Sequence, residues 1–115
     1  MDSKLRARMI SLLRRAWVRD VIRNNVLKKA RKSHGMYECS ICGEGILHRR
    51  KDVQVDHKEP VVPSTGFTSL DDYAVRLFCD ESGLWVLCKE HHDRKTQLEN
   101  EERKQFRKSK PRNKK

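Results

Sequence analysis

Leu84-Trp85-Val86-Leu87-Cys88-Lys89-Glu90-His91-His92-Asp93-Arg94-Lys95-Thr96 is the stretch on which the fold turns. Leu84–Leu87 reads as a short apolar strand, and from Cys88 onward the pattern is helical, through Glu101 or further. At the junction stands Cys88-x-x-His91, half of a metal site. The other half is Cys39-x-x-Cys42, a knuckle whose two thiolates can grip one zinc ion. Together they form a Cys3His set with a two-residue gap in each half. Forty-five residues separate the halves, more than most compact zinc fingers carry, which is explained if something functional is inserted between them. The competing interpretation, core cysteines with a surface histidine, is disfavoured by two paired half-sites in so short a chain. Cys79 is left over. Beside Leu77 and Phe78 it reads as a buried free thiol that could compete as a ligand.

The insert holds Val53-Gln54-Val55-Asp56-His57, where apolar and polar residues alternate as in a strand. Pro60, Pro63 and Gly66 mark a loop, and Ser69-Leu70-Asp71-Asp72 opens a helix that runs to about Phe78, with Ser69 as cap and Asp72 in the capping-box place. Once a zinc ion is satisfied, Asp56, His57 and the spare His92 remain. Cutting a phosphodiester needs an activated water, charge neutralisation at the phosphate and help for the leaving oxygen. A neutral histidine can take the proton from water near pH 7. A divalent cation suits a carboxylate such as Asp56, and an added nitrogen from His92 widens tolerance toward manganese or nickel.

The 115 residues suit one domain with a modest core, since 37% are charged and 36% hydrophobic. A staple is therefore expected. The opening Met1-Asp2-Ser3-Lys4-Leu5-Arg6 does not read as a signal peptide and no apolar run is long enough to span a bilayer, so a cytoplasmic protein with reduced thiols and no membrane partner is expected. The net charge of +11 is uneven. Residues 1–35 hold 11 Lys and Arg against 2 acidic residues, residues 101–115 hold 8 against 2, and residues 36–100 hold 8 against 12. Basic ends around an acidic centre suit a polyanion partner, DNA first, with cations seated in the centre. From Ser3 to about Lys32 two apolar stripes, Leu5 to Trp17 and Val21 to Ala30, are out of phase near Val18–Asp20. This predicts two helices, the second capped by Asp20, with Gly35 ending the segment. Residues 108–115, basic and proline-containing, read as a disordered tail. Trp17 and Trp85 are expected in the core or between helices, and His34 and His48 at the surface.

Cys39-x-x-Cys42, Val55-Asp56-His57-x-x-Pro60 and Leu87-Cys88-x-x-His91-His92-x-x-Lys95-Thr96 together resemble the HNH endonuclease pattern, and are most similar to the small zinc-containing HNH nucleases common in bacteriophages. The resemblance spans about residues 36–98. It implies an α+β chain with a ββα-metal core over 36–107, between a basic helical segment, 1–35, and the tail. It implies His57 as general base and Asp56 with His92 as holders of a catalytic ion, usually magnesium. Cys39, Cys42, Cys88 and His91 would hold the structural zinc, His91 standing where a cysteine is more usual. The family's central asparagine falls at Gly83, which has no side chain to hold the base's loop; Ser82, Asp80 or a backbone carbonyl is left to do so. Lys95, one helical turn from His92, is a candidate phosphate contact, as are Arg49, Arg50 and Lys51 at a turn. The rivals are a zinc module that binds DNA without cutting it and a small RNA-binding protein of ribosomal type. Homing, packaging, replication or host takeover in a phage all remain open as roles.

Overall fold

Two aspartates start the chain's helices. In the computed structural model, which describes residues 1–109, Asp2 Oδ1 accepts the Leu5 N–H (2.8 Å) at the head of α1, Ser3–Trp17. Asp20 Oδ2 accepts the Arg23 N–H (3.2 Å) at the head of α2, Val21–Ala30. Each side chain satisfies a donor that the first helical turn leaves without a partner. The break between the out-of-phase stripes is a turn in which Arg19 N–H reaches Ala16 O and Asp20 N–H reaches Trp17 O.

The helical segment does not close at residue 35. Its end runs into a hairpin of β1, Arg31–Ser33, and β2, Met36–Glu38, turned at Gly35 with φ +70°, a backbone state that favours glycine. A third strand, β3, Leu47–Arg49, completes an antiparallel sheet in the order β1-β2-β3. Exposed Arg31, Lys32 and Ser33 carry no apolar alternation, which is why β1 leaves no trace in the sequence.

The second sheet is β4, Val53–His57, paired antiparallel with β5, Leu84–Cys88, so that Asp56 lies opposite Trp85 and His57 opposite Leu84. Alternation sorts β4 into two faces. Val53 and Val55 join Leu84 and Val86 in a core cluster, against which Trp17, Ile22, Val26, Leu27 and Ala30 of the first two helices pack. The N-terminal helices are thus one wall of the strand pair's core. Leu87 and Cys88 join Cys39 in a second cluster. With both clusters to serve, β5 is buried along nearly its whole length and reads as an unbroken apolar run.

Between β4 and β5 lies α3, Leu70–Leu77, whose cap Ser69 accepts the Asp72 N–H through Oγ (3.0 Å). The Asp72 carboxylate itself binds Thr68 and Arg76. After β5 the chain enters α4, Lys89–Ser109, without a linker. Lys108 and Ser109, expected in the tail, close that helix; residues 110–115 lie outside the described residues. No helix among the described residues is long and apolar enough to cross a membrane.

Gly83 has a local reason of its own. A Cβ built there would lie 2.8 Å from Cys79 Sγ, while the Gly83 carbonyl accepts the Lys58 N–H (2.9 Å) and ties the end of the insert to its beginning. Gly83→Ala is therefore expected to cost about 1–3 kcal/mol of stability, as overpacking does. In a Cys79→Ala background the same change should be nearly neutral. Thermal melts of the single and double variants check this, and a double variant that falls as far below Cys79→Ala as Gly83→Ala falls below the wild type would show that the thiol is not what excludes a side chain.

Candidate metal centre and the cleft beside it

Two pieces of backbone bring the sulfurs together. The Cys39–Cys42 knuckle closes through Gly43 N–H to Cys39 O (3.1 Å), and Ser40 N–H to Val86 O (2.8 Å) fastens it to β5. Cys88 ends β5, and His91 stands in the first turn of α4. Cys39 Sγ, Cys42 Sγ and Cys88 Sγ lie 3.5, 3.3 and 3.2 Å from His91 Nδ1. Cys42 Sγ is 3.8 Å from Cys88 Sγ, and all four donor atoms fall within 4.8 Å of one another. One imidazole nitrogen makes one hydrogen bond, so three sulfurs around it are not a hydrogen-bond network. A tetrahedral zinc site has edges of about 3.8 Å between sulfurs and about 3.6 Å from sulfur to nitrogen. The set could hold a metal ion such as zinc.

The thiols bear the same mark. Burial, together with the neighbouring Cys39 and Cys88 sulfurs, pushes the Cys42 thiol up to about 12. At Cys39 burial also acts upward, but the backbone N–H groups of Cys42, Cys88 and Ile41 and the His91 ring outweigh it and bring the thiol down to about 6. A dication would remove the repulsion that keeps Cys42 protonated. His48, expected at the surface, is half-buried with Nε2 3.5 Å from Cys42 Sγ, in place to donate to a thiolate. His34 is exposed, with Nδ1 3.2 Å from the Arg31 guanidinium. Cys79 is outside the Cys3His group, and burial raises its thiol.

On the far side of His91 the helix turns about 100° per residue, so His92 faces elsewhere. It lines a cleft of about 210 Å³ with Asp56, His57, Lys95, Glu99 and Arg14. Asp56 Oδ2 accepts from Trp85 Nε1 (3.2 Å) and from Lys95 Nζ (2.9 Å). Its Oδ1 faces His92 Nε2 at 3.8 Å. That gap is too long for a hydrogen bond. Two bonds of about 2.1 Å to one cation could bridge it. Lys95, expected at a phosphate, is held by two carboxylates, Asp56 and Glu99 Oε2 (2.5 Å). Burial acts to lower its pKa, but these carboxylates raise it overall, so the ammonium stays charged.

His57 Nε2 donates to the Leu77 carbonyl (2.8 Å), which leaves Nδ1 as the lone-pair nitrogen of the neutral ring. Burial lowers the His57 pKa against the opposing pull of the Leu77 carbonyl and Asp56, and keeps the ring neutral near pH 7. The question left open at Gly83 has a local answer. Asp80 Oδ1 accepts both the Ser82 N–H and hydroxyl, and the group that meets the His57 ring is a backbone carbonyl.

Arg49, Arg50 and Lys51 do not line this cleft. They end β3 and begin a 3-10 turn, where Arg50 Nη1 donates to Val53 O (3.1 Å). Sequence reasoning missed Glu99, Arg14 and Arg103, all of which line the cleft. Glu99 was within reach, since it lies seven residues after His92 and four after Lys95, on one helical face. Nothing near Arg14 in the sequence marks it.

No protein-family model, no curated protein and no solved structure matches this chain.

The two adjacent histidines should separate cleanly. His91→Ala is expected to lose bound zinc and to melt lower, giving up part of the about 10–16 kcal/mol that structural zinc binding contributes to folding. His92→Ala should keep both zinc and melting temperature. Metal content by mass spectrometry and thermal melts decide, and the reverse pattern would exchange the two ligand assignments.

Proposed function

We propose that this chain is a zinc-stapled, metal-dependent DNA endonuclease of HNH type, which hydrolyses phosphodiester bonds in the cleft between β4 and α4. One observation carries the reading: the adjacent Asp56 and His57 and the sequence-distant His92 line one cleft, and His92 directly follows His91 of the Cys3His cluster. The order strand, long insert, strand, helix around that cleft supports it, as do the basic ends, which suit a phosphate backbone.

In this reading Asp56 and His92 hold a divalent cation across their 3.8 Å gap. Magnesium, manganese or nickel there would offset charge building on the phosphate and on the leaving oxygen. His57 Nδ1 takes the proton of the attacking water. The water oxygen bonds to phosphorus, the bond to the 3′ oxygen breaks, and that oxygen collects a proton from solvent. Trp85 Nε1–H keeps hold of Asp56 Oδ2 and so fixes which carboxylate oxygen turns to the cation. Lys95 Nζ, 2.9 Å from Asp56 Oδ2, is the positive group that a divalent ion would have to replace at that carboxylate, and it lines the same cleft as His57. Arg14 and Arg103 stand at the cleft wall as further positive charge.

One observation favours the rival, a zinc module that binds DNA without cutting it: the Lys95–Asp56 ion pair at 2.9 Å neutralises the carboxylate on which the cation site depends. Plasmid incubated with the purified chain, with magnesium, manganese or nickel and then with chelator, separates the two. His57→Ala is expected to lose about a hundredfold or more in cleavage rate, as removal of a general base does. It should retain zinc, fold and DNA affinity. Full activity in the folded variant removes His57 from the role, and a wild-type chain that binds plasmid but cuts it with none of these ions is the non-catalytic module.

A further inference from the structure

We infer that Trp17, the last residue of α1, is a positioning residue for His57, so that the N-terminal helix sets the geometry of the cleft besides carrying basic charge. This rests on the nuclease reading above. The Trp17 and His57 ring centroids are 4.5 Å apart, with the planes inclined by 32°. That is close, tilted aromatic packing of the kind that holds a ring.

The restraint is needed because the other one is incomplete. The hydrogen bond from Nε2 to the Leu77 carbonyl fixes one corner of the imidazole, yet the ring can still rock about that line. Gly83 offers no side chain, and Asp80 and Ser82 are engaged with each other. A flat face against the ring stops the rocking and sets where Nδ1 points.

The indole is itself well held. The Asp20 N–H bonds the Trp17 carbonyl (2.9 Å), which fixes its backbone at the α1–α2 turn. The Arg23 guanidinium lies 5.1 Å from the indole centroid, and Arg23 is anchored in turn to Val18 O (3.2 Å) and Asn24 Oδ1 (3.0 Å). Arginine, indole and imidazole therefore form a braced series that begins in α2 and ends at the proposed base. Trp17 Nε1 is buried with no hydrogen-bond partner among the described residues, so the contacts recorded for the indole are made by its ring.

Two substitutions separate positioning from packing. Trp17→Leu keeps apolar volume against the core and removes the flat face; Trp17→Phe keeps a flat face. With zinc content and melting temperature followed in each, Trp17→Leu is expected to lose about tenfold or more in kcat with little change in KM, and Trp17→Phe to stay within about threefold, since small misplacement of a reacting group is costly. The proton on Cε1 of His57 supplies a readout independent of activity. Indole ring current should shift it upfield in the zinc-loaded wild type, partly in Trp17→Phe, and not in Trp17→Leu.

Absence of that shift in the wild type overturns the inference without any variant. Wild-type or higher kcat in a folded Trp17→Leu also overturns it, the second outcome making the indole a cover over the cleft. Equal loss in both variants, with zinc and melting temperature preserved, would rule out the aromatic face as the cause. A wild-type chain that cuts no DNA overturns the nuclease reading instead, and the ring-current shift on the same sample still decides whether Trp17 holds His57.

Discussion

Three sulfurs and one imidazole nitrogen lie within 4.8 Å of one another, and the rest of the architecture follows from satisfying that crowd. Burial and the neighbouring sulfurs push the Cys42 thiol up, while backbone N–H groups and the His91 ring bring the Cys39 thiol down. A single dication held there would remove the conflict and tie the 39–42 knuckle to the point where β5 becomes α4. That junction is the pivot of the fold. With Cys88 and His91 directed at one ion, the pitch of the helix turns His92 away toward Asp56. The staple that a small core needs therefore also aims the cleft.

The cleft resolves an oddity of charge. A chain of net +11 carries its acidic residues in the middle, and three cations reach into that region. Lys95 comes from the same helix as His92, while Arg14 and Arg103 come from the two basic ends, which the fold brings to one cleft with Asp56 and His57. The acidic centre is thus neutralised locally, by an ammonium where a metal cation is proposed to sit.

The N-terminal helices change meaning in this setting. Neither contains a fully buried residue, yet Trp17, Ile22, Val26, Leu27 and Ala30 cover the β4–β5 core. A two-stranded ribbon cannot enclose its own apolar face. The segment that closes the core is the same one that sets Trp17 against the His57 ring and brings Arg14 to the cleft, so stability of the ribbon and geometry around His57 share their supports.

Much of the local structure was legible from residues alone. Asp20 and Ser69 cap helices because their side chains reach donors two or three residues on. Val53–His57 alternates because one face is buried, and Cys39-x-x-Cys42 with Cys88-x-x-His91 has the spacing of two half-sites. Such features depend on neighbours a few residues apart, and the sequence states them directly. The sheet of β1, β2 and β3 was not legible, because β1 is exposed and strands of three residues are too short to show an apolar period. Nor was the partnership of Trp17 with His57, of Arg14 with the cleft, or of Lys95 with Asp56. Thirty-nine residues separate Trp17 from His57 and thirty-eight separate Asp56 from Lys95. No periodicity reports such distances, which are set only when helix, strand pair and knuckle pack into one body.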